Sequence, residues 1–328
     1  MKHKITTALD YVHIPTKLTL GIFLPIESYR GAIPTMKDQV ALAQRAEAYG
    51  FKALWFRDVP LHVPSFGDAG QVYDPWVYMS YLAAHTKTIC LATGSIILPL
   101  RHPIHTAKSA SSLDHLSNGR LIMGIASGDR PIEYPAFGKD LEQRATLFQE
   151  NVTYLKTLWK SFPNHASPLG AMTGEADLIP KPIYGSIPLL ATGRSGQSLT
   201  WIAQNTDGWV YYPRDLSTVQ QLIGEWHRTL EQENQPTKPF LQSLYIDLLA
   251  DANAPAHPIH LGFQSGRNYL LEFLGRLEIQ GVSHVIINLK YGTRPADEVL
   301  EELGTEIVPH FNEKTDDTRA AKAEANGY

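Results

Sequence analysis

The chain has 328 residues and a formal net charge of −4, from 29 lysines and arginines against 33 acidic residues. The chain also lacks a run of basic residues, so it has no positively charged surface segment of the kind that binds nucleic acid or an anionic membrane. Its single cysteine, Cys90, excludes an intramolecular disulfide. No apolar run reaches the length of a membrane span or matches a signal-peptide core, so we expect a cytoplasmic protein.

Short apolar runs alternate with helical patterns along most of the chain. The runs are rich in branched residues, which is typical of strands buried on both faces of a parallel sheet. Strands are predicted at residues 18–24, 53–59, 89–98, 121–126, 187–192, 208–212, 240–249 and 284–289. Helices are predicted from 34 to 49 and at residues 74–85, 103–116, 141–159, 195–205, 216–233, 267–280 and 295–310. Cys90 lies inside the third strand, as a small buried hydrophobe would.

Residues 89–128 form one complete strand–helix–strand unit with marked boundaries. Pro103 suits the first turn of a helix, and Gly119 can adopt the left-handed conformation that ends one. Eight strands alternating with eight helices predict an α/β fold, a single (β/α)8 TIM barrel, whereas a doubly wound sheet usually stops at about six strands. We therefore predict a barrel at residues 18–311 with insertions at 161–182 and 251–260, an N-terminal extension at 1–17 and a polar C-terminal tail at 312–328.

The segment after the fifth predicted strand has the composition of a phosphate cradle. Gly193 and Gly196 allow the backbone to approach an anion, Ser195 and Ser198 offer hydroxyl groups, and Arg194 adds a positive charge. An N-capped helix after a tight turn explains the same residues equally well. Barrels more often bind phosphate after strands seven and eight, which counts against this position.

Two other groups of polar residues follow predicted strands. Asp58, with His62 nearby, is a candidate proton acceptor, although a turn cap or a salt bridge with Arg57 explains Asp58 more simply. His102 and His105 have the spacing of two metal ligands, but no third ligand accompanies them, so no metal site is predicted.

The stretches TGSIILPLRHP (93–103) and LDHLSNGRLIMGIASG (113–128) closely resemble the bacterial luciferase-like flavin monooxygenase family. The resemblance extends to YPAFG at 134–138 and to GRSGQSLTWIAQNTDGW at 193–209. It implies flavin mononucleotide (FMN) across the barrel mouth, with its phosphate at the start of the helix after strand five, near Gly193, Ser195 and Ser198. It also implies a non-proline cis peptide between Gly94 and Ser95. The residues that it places around the flavin further include Thr93, Ser95, Ser127 and Tyr134.

Two departures from the family pattern limit what the resemblance implies. Ser127 stands where luciferases themselves carry an arginine that reaches the phosphate, so Arg194 is expected to supply the charge. Val59 stands where luciferase-like enzymes often carry a histidine after the acidic residue of strand two. The proton chemistry of light emission is therefore not carried over.

The resemblance implies an enzyme, a flavin-dependent monooxygenase that uses reduced FMN and O2 on a small organic substrate. No G-x-G-x-x-G sequence follows a strand, so a separate NAD(P)H:flavin reductase is expected to supply the reduced cofactor. A deazaflavin-dependent hydride-transfer oxidoreductase and a non-catalytic flavin-binding protein remain alternatives. FMN is favoured because Arg57, Arg101, Arg130 and Arg214 are scattered over different strand ends and do not form the basic cluster suited to a long anionic deazaflavin tail.

We also expect a homodimer that packs through the helices at 75–85 and 103–116, because luciferase-like barrels pair through this region. The second helix carries a stripe of residues small enough to let helices approach closely: Ala107, Ser109, Ala110, Ser111 and Ser112. The alternative is that these small residues pack against the barrel of their own chain.

Overall fold

Eight parallel strands close into a barrel in the computed structural model, which describes residues 7–67 and 69–312. The last strand pairs with both the first and the seventh, so the sheet has no free edge within the barrel, as the sequence predicts. The barrel strands are β1 Thr19–Phe23, β2 Ala53–Phe56, β3 Cys90–Thr93, β4 Leu121–Ala126, β5 Leu189–Thr192, β6 Gly208–Tyr211, β7 Phe240–Leu248 and β8 His284–Asn288.

Helices surround the barrel. They are α1 Gln39–Ala48, α2 Pro75–His85, α3 Pro103–Leu116, α4 Arg144–Leu158, α5 Leu199–Asn205, α6 Leu216–Gln232, α7 Arg267–Gln280 and α8 Ala296–Glu302, the last continuing through a π-helical turn, Leu303–Ile307, into Val308–Phe311. Shorter helices lie at Ala8–Val12 and Glu133–Ala136, and 3₁₀ turns at Pro64–Phe66, Leu98–Leu100 and Leu141–Gln143. Within the described ranges, no helix is long and apolar enough to cross a membrane. The cytoplasmic location stays a prediction.

Local chemistry explains several helix boundaries. The Asp74 carboxylate accepts hydrogen bonds from the N–H groups of Trp76 and Val77 at 2.9 and 3.2 Å, which caps α2. Gly119 has a φ of 73°, the left-handed conformation predicted after α3. In contrast, α1 begins at Gln39 and not near Pro34, because Met36 and Asp38 have φ values of 60° and 55°, which a right-handed helix does not contain.

The apolar side chains form two layers. One fills the space between the strands and the surrounding helices, and the other fills the barrel lumen with Phe23, Trp55, Cys90 and Ile286 among others. The helix Ala8–Val12 contributes to the luminal layer and lies at the end where the strands begin. Cys90 is fully buried in this layer, as expected. Of the predicted N-terminal extension, 1–17, the structure describes residues 7–17. Of the predicted tail, 312–328, it describes only Asn312.

Two hairpins were not predicted from the sequence: one lies within the predicted insertion 161–182, and the other begins in the predicted insertion 251–260 and extends beyond it. Asn164–Ser167 pairs antiparallel with Gly170–Thr173, and His257–Ile259 pairs with Gly262–Ser265. The strand Gly262–Ser265 also pairs with β7, so the second insertion extends the sheet beside the barrel. Their prolines conceal the alternation of these short strands in the sequence.

The small residues of α3 are mostly used inside the chain. Ala107, Ala110 and Ser111 are fully buried, while Ser109 and Ser112 are half-buried. Packing against the chain's own barrel therefore explains the first three, and the homodimer stays a prediction.

Candidate active site

The barrel lumen opens at the carboxyl ends of the strands. Along β7, Leu244 and Ile246 are buried against the outer helices, whereas the alternate residues Ser243 and Tyr245 are half-buried. Since side chains alternate between the two faces of a strand, Ser243 and Tyr245 point into the lumen and reach solvent through it. This opening, the barrel mouth, is the candidate site.

One wall of the mouth lies where β3 ends. The Gly94–Ser95 peptide is cis, as the family resemblance implies, and it divides the predicted strand 89–98 into β3 and a short strand, Ile96–Ile97, that pairs with β4. The Thr93 hydroxyl donates to the Gly124 carbonyl at 2.7 Å, and Ser95 is hydrogen-bonded to the hydroxyl of Thr192. A Cβ atom on Gly124 would lie 1.9 Å from the Thr93 carbonyl oxygen, so only glycine permits this approach.

The segment after β5 is a tight turn followed by a separate helix. Ser195 and Gly196 have φ values of 48° and 75°, and the Gln197 N–H donates to the Arg194 carbonyl at 2.8 Å, as in a type I′ turn. Within the described part of the chain, the N–H groups of Ser195 and Gly196 have no acceptor. The helix predicted from 195 begins at Leu199, with the Ser198 hydroxyl as its N-cap acceptor for Trp201 at 3.1 Å.

Side chains hold this turn from both sides. The Ser195 hydroxyl accepts from the Ser127 N–H at 3.2 Å and donates to the Thr192 carbonyl at 3.0 Å. Gln197 is buried and donates to the Ala145 carbonyl in α4 at 2.9 Å. The Arg194 guanidinium lies 3.2 Å from Glu225 of α6. The turn is therefore fixed to β4, α4 and α6, with its unpaired N–H groups available to a ligand.

The segment after β4 is anchored by buried polar groups. Tyr134 is fully buried, and its hydroxyl donates to the Ser127 carbonyl. Burial raises the pKa of Tyr134 to about 12, so the phenol is a neutral donor at physiological pH. Tyr134 thus lies behind Ser127 and fixes its backbone. In the same segment, the Arg130 guanidinium lies 3.7 Å from the carboxylate of the buried Glu133. Burial raises the pKa of the Glu133 carboxyl, and the positive charge of Arg130 opposes this rise.

Asp58 is paired with a different arginine from the one predicted. Arg101 donates to both carboxylate oxygens of Asp58 at 2.8 and 2.7 Å, and the Ile97 N–H donates to the same carboxylate at 3.1 Å. Arg101 also contacts Asp74 at 3.1 Å. Arg101 is thus the ion-pair partner that the structure gives to Asp58, whereas the sequence offered a turn cap or a salt bridge with Arg57 as the simpler explanations.

The neighbours of Asp58 have other positions. The Arg57 guanidinium lies over the ring of Phe23, 5.9 Å from its centroid. His62 is exposed, and no hydrogen bond joins it to Asp58. The catalytic role of His62 stays a prediction.

Three residues of the mouth were not predicted from the sequence. Thr192 bonds Ser95, Ser243 faces the lumen, and Gln197 holds the turn after β5. Thr192 is the last residue of a predicted strand, so a search of strand ends could have found it. Ser243 and Gln197 carry no such local signal.

The chain matches the family model described as luciferase-like monooxygenase over residues 18–254. It is 33% identical over 209 residues to an uncharacterised protein of Mycobacterium tuberculosis, an overlap of 58% of this chain and 71% of that protein. It is 27% identical over 224 residues to the oxygenase component of a flavin-dependent trigonelline monooxygenase of Acinetobacter baylyi, covering 67% and 61% of the two chains. It is 26% identical over 295 residues to an F420-dependent hydroxymycolic acid dehydrogenase of M. tuberculosis, covering 86% and 78%.

Solved structures share the fold. An F420-dependent secondary alcohol dehydrogenase in complex with an F420–acetone adduct superposes with a TM-score of 0.75 and 17% identity, covering 90% of this chain and 100% of that one. The oxygenating constituent of 3,6-diketocamphane monooxygenase from a Pseudomonas putida plasmid gives 0.72 and 14%, covering 90% and 99%. Both comparisons support the barrel and, at these identities, nothing finer.

Proposed function

This chain belongs to the luciferase-like monooxygenase family, and from that premise we propose that it is an FMN-dependent monooxygenase acting on a small organic substrate. A bound, reduced flavin would supply the two electrons that let one atom of O2 enter the substrate while the other leaves as water. The protein's part is to bind the cofactor, orient it and exclude water.

The turn after β5 is the observation that carries this proposal. It presents the unpaired N–H groups of Ser195 and Gly196 together with the exposed Ser198 hydroxyl, which are suitable donors for a phosphate. The Arg194–Glu225 pair has side chains that are 40% and 46% exposed, and exposed pairs are worth only about 0–1 kcal/mol. Arg194 can therefore exchange Glu225 for a phosphate at small cost, which would supply the charge missing at Ser127.

The flavin ring is proposed to lie beside Thr93, Gly94, Ser95 and Ser127. The first three line the mouth where β3 ends, and the backbone of Ser127 is tied to the phosphate turn through Ser195. Gly94 packs against the luminal rings, because a Cβ atom there would lie 3.0 Å from Phe23 and 3.3 Å from Trp55. Asp58 acts in this arrangement as a positioning group, because it fixes Ile97 and Arg101 directly after the cis peptide.

The charges around the mouth favour FMN over a deazaflavin with an anionic tail. Arg101 is paired with Asp58 and Asp74, Arg130 with Glu133, and Arg194 with Glu225. Each positive group is thus balanced locally, and no extended cationic surface is built from these three arginines. The overlap of the F420-dependent mycobacterial dehydrogenase with 86% of this chain nevertheless makes deazaflavin-dependent hydride transfer the second candidate function.

Two partners complete the proposal. The relative from A. baylyi is an oxygenase component, which supports delivery of reduced FMN by a separate NAD(P)H:flavin reductase. A homodimer through α2 and α3 is proposed from the family resemblance. The exposed side chains of Val77, Tyr81 and Leu116 on these helices are 55–69% accessible and would be covered in such a dimer.

Titration of the purified protein with FMN and, separately, with F420 tests the cofactor assignment by absorbance. We expect FMN to bind and F420 not to bind at micromolar concentration. Supplying reduced FMN and O2 should then give an oxygenated product with a suitable substrate. Product formation is measured, and not oxygen loss, because free reduced flavin also consumes oxygen. Micromolar binding of F420 without binding of FMN would replace the monooxygenase by the hydride-transfer enzyme.

A further inference from the structure

We propose that the substrate is a neutral aromatic compound that binds against Tyr212, Tyr245, His260 and Tyr291, which meet at the β6–β8 side of the mouth. We call these four residues the tyrosine wall. The inference rests on the proposed function in one respect, since the cofactor is placed at the opposite β3–β5 side. A ligand that reacts with the flavin must then occupy the remaining part of the mouth.

Three rings of the wall contact one another although they come from three different segments. Tyr245 points into the lumen from β7 and lies opposite Asn288, the last residue of β8. The ring centroids of Tyr245 and Tyr291 are 5.2 Å apart, and His260 lies 6.2 Å from Tyr245 and 5.9 Å from Tyr291. These separations fall within the range of attractive aromatic contacts.

The second insertion is responsible for the position of His260. The strand Gly262–Ser265 pairs with β7 so that Gly262 lies beside Tyr245, and the Tyr245 N–H donates to the Leu261 carbonyl at 3.0 Å. A Cβ atom on Gly262 would lie 1.8 Å from the Tyr245 carbonyl oxygen, so glycine allows this close approach. The hairpin turn is thereby held over the mouth. His260 is exposed and Tyr291 is 36% exposed, which leaves aromatic surface open to a ligand.

Tyr212 connects the wall to the proposed cofactor site. Tyr212 follows β6, and its side chain is 42% exposed. Its ring lies next to Gly193, because a Cβ atom on that glycine would be 3.6 Å away. Burial raises the pKa of Tyr212, Asp129 and Tyr245 raise it further, and Arg214 lowers it. Because Tyr212 follows β6, which pairs with β7, it lies on the same side of the mouth as Tyr245. A ligand on the wall would be adjacent to a cofactor whose phosphate occupies the β5 turn.

Polarity and charge define the kind of aromatic compound. Ser243 and Asn288 point into the lumen, and neither the Ser243 hydroxyl nor the Asn288 side-chain N–H group donates to an acceptor within the described residues. Both can donate to an oxygen substituent on a ring. Charges of both signs lie around the wall: Asp129 and Arg214 act on Tyr212 with opposite signs, and the Lys290 ammonium lies 5.7 Å from the centroid of the Tyr291 ring. The wall therefore has no field of a single sign that would favour a charged ring. The chemistry therefore fits a neutral ring with one oxygen substituent, such as a phenol.

Equilibrium binding of three probes of similar size tests the proposal. We would measure dissociation constants by NMR titration of the full chain with p-cresol, 4-methylcyclohexanol and 4-methylbenzoate, with FMN binding followed separately by absorbance. We expect p-cresol to bind at least about fivefold more tightly than either of the other probes. Equal binding of p-cresol and the saturated alcohol, or tighter binding of the benzoate, would overturn the aromatic assignment.

Variants locate the binding surface. Tyr245→Leu keeps an apolar side chain but removes the ring, and an aromatic contact is worth about two- to tenfold in affinity. The p-cresol dissociation constant should rise by that factor, while Tyr184→Leu, at an exposed tyrosine beside Gly119 before the start of β4, should leave it unchanged. If Tyr245→Leu does not fold, Tyr291→Leu provides the same test.

The results separate the two proposals. Selective p-cresol binding that neither wall variant weakens would place the ring elsewhere and overturn the inference. FMN binding without selective p-cresol binding overturns the inference and leaves the proposed function standing. Selective binding of p-cresol to the wall without FMN binding supports the inference and overturns the proposed function.

Discussion

The fully buried His284 in the barrel lumen makes the stability of this protein depend on pH in a defined way. The indole N–H of Trp55 donates to Nε2 of His284 at 3.0 Å. Because an indole nitrogen can only donate, Nε2 must be unprotonated and Nδ1 must carry the proton. Nδ1 lies 2.6 Å from the Thr19 hydroxyl, which donates in turn to the Val12 carbonyl at 2.5 Å. Replacement of His284 by glutamine removes the titrating group.

Burial lowers the pKa of His284 from 6.5 to about 3. The neutral form is therefore favoured in the folded chain, and the associated stability is fully present above pH 6.5 and is lost as the pH falls towards 3. Between pH 7 and pH 5 the unfolded chain gains a proton that the folded chain does not. At about 1.4 kcal/mol per pH unit below 6.5, the free energy of unfolding should fall by about 2 kcal/mol from this residue alone.

Urea unfolding at pH 7 and pH 5 measures this contribution. The wild type should lose about 2 kcal/mol more between the two pH values than His284→Gln, because the variant lacks the titration. His227→Gln, at an exposed histidine of α6, should behave as the wild type. Equal losses for the wild type and His284→Gln would refute the reasoning. If that variant does not fold, ¹⁵N NMR of the wild type still tests it, since a proton on Nε2 at pH 7 contradicts the tautomer derived from Trp55.

Three further predictions follow from the candidate site. Arg101→Met should destabilise the chain by about 3–5 kcal/mol in urea unfolding, because it leaves the buried carboxylate of Asp58 without its partner; a loss below about 1 kcal/mol would contradict this. The double variant Ser195→Ala/Ser198→Ala should weaken FMN binding by about 1–3 kcal/mol in a fluorescence titration, and unchanged affinity would move the phosphate elsewhere. Sedimentation should show a dimer at micromolar concentration, whereas a monomer would refute pairing through α2 and α3.

The order and approximate limits of the barrel elements could be predicted because their signals are local. Proline at the start of α3, glycine after it and an apolar run on either side define the unit from β3 to β4 without reference to the rest of the chain. The start of α5 could not be predicted in this way. Ser195 resembles an N-cap in the sequence, but its left-handed backbone belongs to a turn that Gln197 fixes against α4. That contact joins residues 52 positions apart.

The partner of Asp58 shows a second limit. Arg57 precedes it directly, yet neighbouring residues in an extended segment point in opposite directions. Arg57 accordingly lies over Phe23, while Asp58 pairs with Arg101, 43 positions later in the chain. The sequence indicates that a buried carboxylate needs a partner, but the choice between two arginines is made by the path of the chain after the cis peptide.

The proposed cofactor side of the mouth is easier to predict from a single sequence than the side formed by the tyrosine wall. Cofactor binding is proposed at a turn, where glycine and serine at 193–198 interrupt the apolar pattern. The tyrosine wall includes Tyr245 inside a strand buried on its other face, where a luminal residue resembles core. A luminal residue becomes core only where other side chains fill the lumen around it, and here the fully buried pair of Leu241 and His284 lies two residues before Ser243 along β7 and β8. Substitutions at such luminal positions would change the substrate without altering the turn that holds the cofactor, so affinity for FMN and preference for an aromatic ring should vary independently.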